Sequence, residues 1–286
     1  ELTIRSPIAI GFYPGTAGVC GSALERYLQK ASAILARREK IVAGIVPHAG
    51  WVYSGYTAAT VYHNINRLSP PETFVLLGSV HVSGVNKPAI MPEGSWETPL
   101  GEIEINSTLA SRLLKEYPDL LTEKLECHLM EHSIEVQVPF IQHLFPEADI
   151  VPIMVPPTKE APILGSRLAG LLKGQKVLVV GTSDLTHYGL NYGIQDKGTG
   201  KKALAWVKEV NDRRIIDLCL TMDAEGIVPE ATRNMNACGP GALSATVAYA
   251  KALGVSSGEL LHYTTSYDVE PAGEPSNFVG YAGIVF

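Results

Sequence analysis

The sequence is short of most features that would place it in a specialised class. No run of about 18 consecutive apolar residues occurs, so no membrane span is expected. Cysteine is scarce: Cys20, Cys127, Cys219 and Cys238 are scattered through 286 residues. That spacing is no disulfide framework, and reduced thiols in a cytoplasmic protein are expected. Basic residues are outnumbered, 23 against 29 acidic, for a formal charge of −6. The shortage argues against a nucleic-acid partner, because a phosphate-tracking surface needs a basic excess or stripe. No secretory leader is legible in a chain that opens on Glu1. What is present is 46% apolar residues, enough for a substantial core in one large α/β domain or two small ones.

The strongest internal pattern is an apolar run that stops abruptly at a polar side chain. In Ile41 to Gly55 (IVAGIVPHAGWVYSG) the apolar residues suit a buried strand, and Pro47 cannot donate to a continuing ladder. His48 is therefore expected at the strand's carboxyl end, with Ser54 capping a following helix marked by Ala58, Val61, Tyr62 and Ile65. Thr73 to Leu77 repeats the arrangement and ends in Gly78-Ser79-Val80-His81. Two such histidines on neighbouring parallel strands would face each other across a cleft. Val177 to Val180 ends in Gly181-Thr182-Ser183-Asp184-Leu185-Thr186-His187, where Asp184 and His187 form a candidate orienting pair. Taken singly, each histidine reads more readily as a cap or core residue; three repeats weaken that reading.

Two further stretches carry reactive groups. Cys127 to Pro139 contains the H-x-x-E-H pattern His128, Glu131, His132, which on a helix would put two imidazoles and a carboxylate around a zinc ion, as in a hydrolase. A partly exposed polar rim is the simpler reading. Cys238 precedes Gly239-Pro240-Gly241 and a helix marked by Leu243, Thr246 and Val247. A thiol there feels the helix dipole and suits a nucleophile, a metal thiolate or merely a small residue in a crowded turn. Elsewhere, Ser22 and Glu25 form a capping box for a first helix, Asn106 caps a helix that Pro118 ends, and Glu102 to Ile105 forms a short strand near Trp96. Ile150 to Val155 and Phe278 to Phe286 are expected strands, and Cys219 is expected to pack inside a long amphipathic segment.

VPHAGWVYSG, LLGSVHVSG, EHSIEVQVPF, VVGTSDLTHYG and NACGPGALSA, in that order over nearly the whole chain, resemble the Memo family. That family is named for a mediator of receptor-kinase-driven cell motility, and its prokaryotic members are component B of the AmmeMemoRadiSam set. GFYPG, WETPLG and FVGYAGIVF also fit. The resemblance implies a single α/β domain over residues 1–286, with a central mostly parallel or mixed sheet flanked by helices, similar to the class III non-haem-iron extradiol dioxygenases. It further implies a metal site at His48, His81 and Cys238, with Asp184, His187 and His132 as catalytic residues and His132 and Glu135 lining the cleft. Two imidazoles and a thiolate suit Fe, Cu or Zn, with Fe or Cu favoured. Two classes of function follow: a metal-dependent oxidoreductase acting on a small molecule, or a non-catalytic protein holding a peptide or partner in the cleft. Radical-SAM and AMMECR1-like companions are the partners that the family's name implies.

Overall fold

The apolar runs become the strands of one sheet, and the amphipathic segments between them become its two helical layers. A computed structural model describes residues 1–286. In chain order, β1 (Ile4–Arg5), α1 (Ala17–Ala31), β2 (Ala43–Val46), α2 (Trp51–Leu68) and β3 (Thr73–Gly78) come first. An excursion follows: β4 (Ala89–Ile90), β5 (Ser95–Thr98), β6 (Gly101–Glu104), α3 (Ser107–Glu116), β7 (Thr122–Glu123), α4 (Leu125–Met130) and α5 (Val138–Leu144). The chain returns through β8 (Asp149–Met154), α6 (Glu160–Leu172), β9 (Val177–Thr182) and β10 (His187–Tyr188). It closes with α7 (Lys201–Trp206), α8 (Asp212–Leu220), α9 (Ala224–Asn234), α10 (Pro240–Ala252), β11 (Glu259–Thr265), α11 (Ser266–Val269) and β12 (Phe278–Val285).

The main sheet runs β10-β12-β2-β9-β3-β8-β4-β7, with β11 on the outer side of β12. Its centre, β2-β9-β3-β8, is parallel, and β12 and β4 join it antiparallel. Side chains alternate across the central strands. Ile45, Val75, Leu77 and Val179 face one core with Leu164, Leu168 and Val247. Val46, Phe74, Leu76 and Val180 face the other with Leu24, Val61, Ile65 and Phe140. Burial on both faces explains why these strands read as unbroken apolar runs. Each such side chain contributes roughly 1.5–3 kcal/mol by leaving water. A separate sheet, β1-β5-β6, lies beside this assembly.

Three expectations are corrected here. β2 and β3 are not neighbours, because β9 lies between them; parallel crossovers leave no local mark of strand order. The first helix begins at Ala17, ahead of the Ser22 capping box, because its buried stripe already starts at Cys20 and continues through Leu24, Leu28 and Ala31. Ser54 does not cap α2. The helix starts at Trp51, whose N–H donates to Phe12 O at 2.8 Å, so an N-terminal carbonyl does the work of the cap. Asn106 does cap α3, accepting Leu109 N–H at 3.0 Å.

Candidate metal centre

Loops that follow β2, β9 and β3 converge with the turn before α10. Pro47 ends β2, and His48 next to it is 2% exposed. The His48 N–H donates to Asp184 Oδ1 at 2.8 Å, and its ring Nδ1 lies 2.9 Å from Thr182 Oγ1. With the proton on Nδ1 and donated to Thr182, Nε2 is left bare, and it faces Cys238 Sγ at 3.2 Å. His81 is held by Glu131. Its N–H donates to Glu131 Oε1 at 2.6 Å, and Nδ1 lies 3.0 Å from Oε2. Oε2 also accepts Ser133 N–H at 2.8 Å, so the buried carboxylate fixes the ring and keeps the proton on Nδ1.

Cys238 is locked to the β9 loop. Its Sγ accepts the Asp184 N–H at 3.3 Å, and its own N–H donates to Asp184 O at 3.2 Å. The crossing needs Gly239, where a Cβ would stand 2.0 Å from Ser79 Oγ and 2.7 Å from Thr182 O. His48, His81 and Cys238 thus each offer one ligand atom, all within 4.8 Å of one another. A tetrahedral ion with sulfur and nitrogen bonds near 2.3 and 2.0–2.1 Å separates those donors by about 3.5 Å. The 3.2 Å from His48 Nε2 to Cys238 Sγ is close to that spacing, and this donor set fits one metal ion. His81, Glu131 and His132 form a second such group, but Glu131 is already engaged by the N–H donors of His81 and Ser133.

Charge follows from this packing. Burial opposes a Cys238 thiolate, yet the adjoining His48 and His81 outweigh it and bring the thiol down to about 6. Burial also opposes charge on His81; its bonds to Cys238 and Glu131 prevail and raise it to about 10. Against its own burial, Glu131 is held at about 2 by His81. Burial pushes His48 down, and burial followed by the His81 charge pushes His132 down. Without metal at neutral pH, the site is a thiolate beside an imidazolium and a neutral imidazole.

A cavity of about 650 Å³ opens over the site, bordered by His48, His81, His132, Asp184 and His187. The His132 ring lies 4.7 Å from His81 and 4.8 Å from Phe12. Asp184 and His187 do not form the expected pair. Asp184 serves His48, with Oδ2 3.8 Å from Nε2, and burial raises its pKa. His187 Nδ1 lies 3.0 Å from Leu185 O, with its ring against Tyr192.

The H-x-x-E-H segment is not a helical zinc motif. α4 ends at Met130, and Glu131 is extended at φ −98 and ψ 133. His128 is 0% exposed, with Nε2 2.8 Å from Ala89 O and no place in the cleft. The polar-rim reading fails for His128 and for Glu131, which is 1% exposed, and holds only for His132, half-buried at the edge of the cavity. Glu135 is not a cleft residue either: it lies behind, accepting Arg5 Nη1 at 2.6 Å, the Ile8 and Ala9 N–H at 2.8 Å, and the Tyr13 hydroxyl at 2.9 Å. Sequence reasoning missed Thr182 and Glu131 as partners of the two imidazoles. The small-residue turn that contains Thr182 was the available signal for the first; for Glu131, fifty positions from His81, there was none.

Fold and site together define an α/β protein with a cleft over the carboxyl ends of a parallel sheet and groups that could hold a metal. The chain belongs to the Memo family: the model described as "Memo-like protein" matches residues 5–285. It is 38% identical to a MEMO1 family protein of Thermococcus onnurineus over 295 residues, covering 99% of both chains. A MEMO1 family protein of Thermococcus kodakarensis is 40% identical over 296 residues, again with 99% coverage of both. Among solved structures, an uncharacterized protein from Escherichia coli K12 superposes with a TM-score of 0.56 at 13% identity, over 86% of this chain and 100% of that one. That likeness concerns the fold alone. No helix is long and apolar enough to cross a membrane.

Proposed function

We propose that this chain is a metal-dependent oxidoreductase that holds one Fe or Cu ion between His48, His81 and Cys238 and acts on a small molecule in the cleft. One observation carries the reading. Three ligand atoms of types suited to these metals converge within 4.8 Å, while the far nitrogen of each imidazole is held by Thr182 or Glu131. Such an ion supplies a one-electron redox change and an open coordination position, with dioxygen as the oxidant by likeness to the extradiol dioxygenases. The chain's own part is to hold and orient. Thr182 and Glu131 keep Nε2 of each ring directed inward, and the Asp184 N–H steadies the thiolate. His187 and His132 face the cavity, and they are the groups that take or return a proton at the substrate.

The test is anaerobic loading with Fe(II), Cu(I) and Zn(II) in turn, followed by elemental analysis, for the native chain beside Cys238→Ser. Loss of a partner outside the ligand set weakens metal binding roughly 10–100-fold, and loss of the thiolate should weaken it at least that much. Oxygen uptake is then measured with the metal retained best. Equal retention by Cys238→Ser would remove Cys238 from the site. A native chain that retains no metal would leave the cleft as a partner-binding surface.

A further inference from the structure

The walls of the cleft restrict what can enter it. Five aromatic rings border the cavity, those of Phe12, Tyr53, Tyr192, Tyr267 and Tyr281, a lining suited to stacking on a flat ring. No lysine or arginine borders it, whereas Glu270 and Glu274 do, from the loop between α11 and β12. Neither carboxylate takes part in any ion pair of the molecule. Their loop is also tethered. The Gly200 N–H donates to Pro275 O at 2.7 Å, and the Asn191 N–H donates to Asn277 Oδ1 at 2.9 Å. The Glu274 carboxylate lies against Gly200, where a Cβ would come within 2.7 Å of Oε1. Glu274 is therefore held against the segment that follows Tyr192, and Glu270 stands on the same loop, its N–H donating to Ser266 O at 3.1 Å.

A ligand bearing a carboxylate or phosphate at its outer end would meet two unpaired carboxylates and no guanidinium or ammonium to receive it. An ammonium would meet two unpaired acceptors, and the tyrosine faces add attraction for a cation. The geometry points to a small aromatic amine as the ligand of this cleft, with its ring between the aromatic walls and its ammonium against Glu270 and Glu274. This assignment rests on the cleft being the substrate site, as in the function proposed above, but it does not require a metal.

The test uses three probes with one ring and different tails: 2-phenylethylamine, 3-phenylpropionate and the uncharged 2-phenylethanol. Binding is measured by titration calorimetry and ligand-observed NMR, on metal-loaded and chelator-treated protein. Attraction of one tail and repulsion of the other by two exposed acids should favour the amine over the acid by roughly three- to tenfold, and the preference should shrink as salt rises. A Glu270→Gln/Glu274→Gln double variant should lose that preference while binding the alcohol as the native chain does. Equal binding of amine and acid, no binding of any probe, or a preference that survives in the double variant would each overturn the assignment. Metal analysis of the same samples separates the two readings. Amine selectivity without bound metal leaves this inference standing and removes the redox function; bound metal without amine selectivity does the reverse.

Discussion

Arg5–Glu135 and His81–Cys238 are both pairs of opposite charge, the first fully buried and the second open at the cleft, and they are built to different ends. In the first, every arm of the guanidinium is taken. Nη1 binds Glu135 at 2.6 Å, Nε binds His128 O at 2.6 Å, and Nη2 binds Glu131 O at 2.8 Å, with Trp96 stacked 4.1 Å away. Glu135 in turn collects the N–H groups of Ile8 and Ala9 and the Tyr13 hydroxyl. Nothing is left to bind a ligand. In the second, Glu131 fixes the far side of the His81 ring, as Thr182 does for His48, and the near nitrogens and the sulfur converge beneath a cavity. A closed polar network holds the chain together, whereas an open one with shifted titration is where chemistry is expected.

The comparison breaks first, and with the largest effect, at the closed network. Glu135→Ala leaves the fully buried Arg5 guanidinium without its counter-charge and strands the N–H donors that Glu135 collected. Removing one partner of such a pair costs about 3–5 kcal/mol. Urea unfolding should show a loss of that size, while metal stoichiometry below the unfolding transition stays near one. Lost stoichiometry with unchanged stability would mean that Glu135 belongs to the site.

Glu131→Gln should do the opposite. The amide oxygen can still accept the His81 N–H, but the amide NH₂ would face Nδ1 and turn that nitrogen into an acceptor. The ring proton then moves to Nε2, the atom needed for metal. Metal affinity should fall roughly 10–100-fold, with a far smaller change in unfolding free energy than for Glu135→Ala. A competition titration against a chelator measures the first, and unchanged affinity would dismiss Glu131 as the group that sets the ring.

Titration sharpens the contrast further. His81 stands at about 10 and Cys238 at about 6 before metal binds. Between those values His81 carries a proton that metal must displace, whereas Cys238 is already a thiolate. Metal uptake should release about one proton, and affinity should rise about tenfold, or about 1.4 kcal/mol, for each pH unit from 6 toward 10. Below 6 the thiol protonates as well, and affinity should fall more steeply with acid. Calorimetry in buffers of different ionisation enthalpy counts the protons. A count near zero at pH 8 would show that His81 is neutral there.

Much of this was readable in the residues, and the reasons for the remainder are physical. His48, His81, Asp184 and His187 each follow a run of β-branched or leucine residues closed by proline or small residues, so their places at strand ends needed only local rules. The order β2-β9-β3 did not follow, because a crossover helix connects strands without recording which gap the next one fills. Cys238 could be placed before a helix, but its bond to the β9 loop joins residues 54 positions apart, and no period in the sequence marks that. The capping box at Ser22 lost to an apolar stripe that starts earlier, since packing of the buried face outweighs a cap.

The smallest expected effect is the most discriminating for the H-x-x-E-H segment. Spacing alone makes His128 and His132 equivalent, four apart and flanking one glutamate. They part because Arg5, more than a hundred residues away in sequence, binds the carbonyls of both His128 and Glu131, and the helix stops between the two histidines. His128 turns into the core, its Nε2 on Ala89 O and its Nδ1 without a partner; burial lowers its pKa to about 4, so it is neutral there at pH 7. His132 turns into the cleft. His128→Ala should therefore lower stability by a few kcal/mol, as large-to-small changes in a core do, and leave metal stoichiometry and affinity unchanged within error. Elemental analysis and chelator competition on folded protein decide it. Metal lost with His128 but kept with Cys238→Ser would move the centre to the H-x-x-E-H segment and make the closed network, not the open one, the seat of the chemistry.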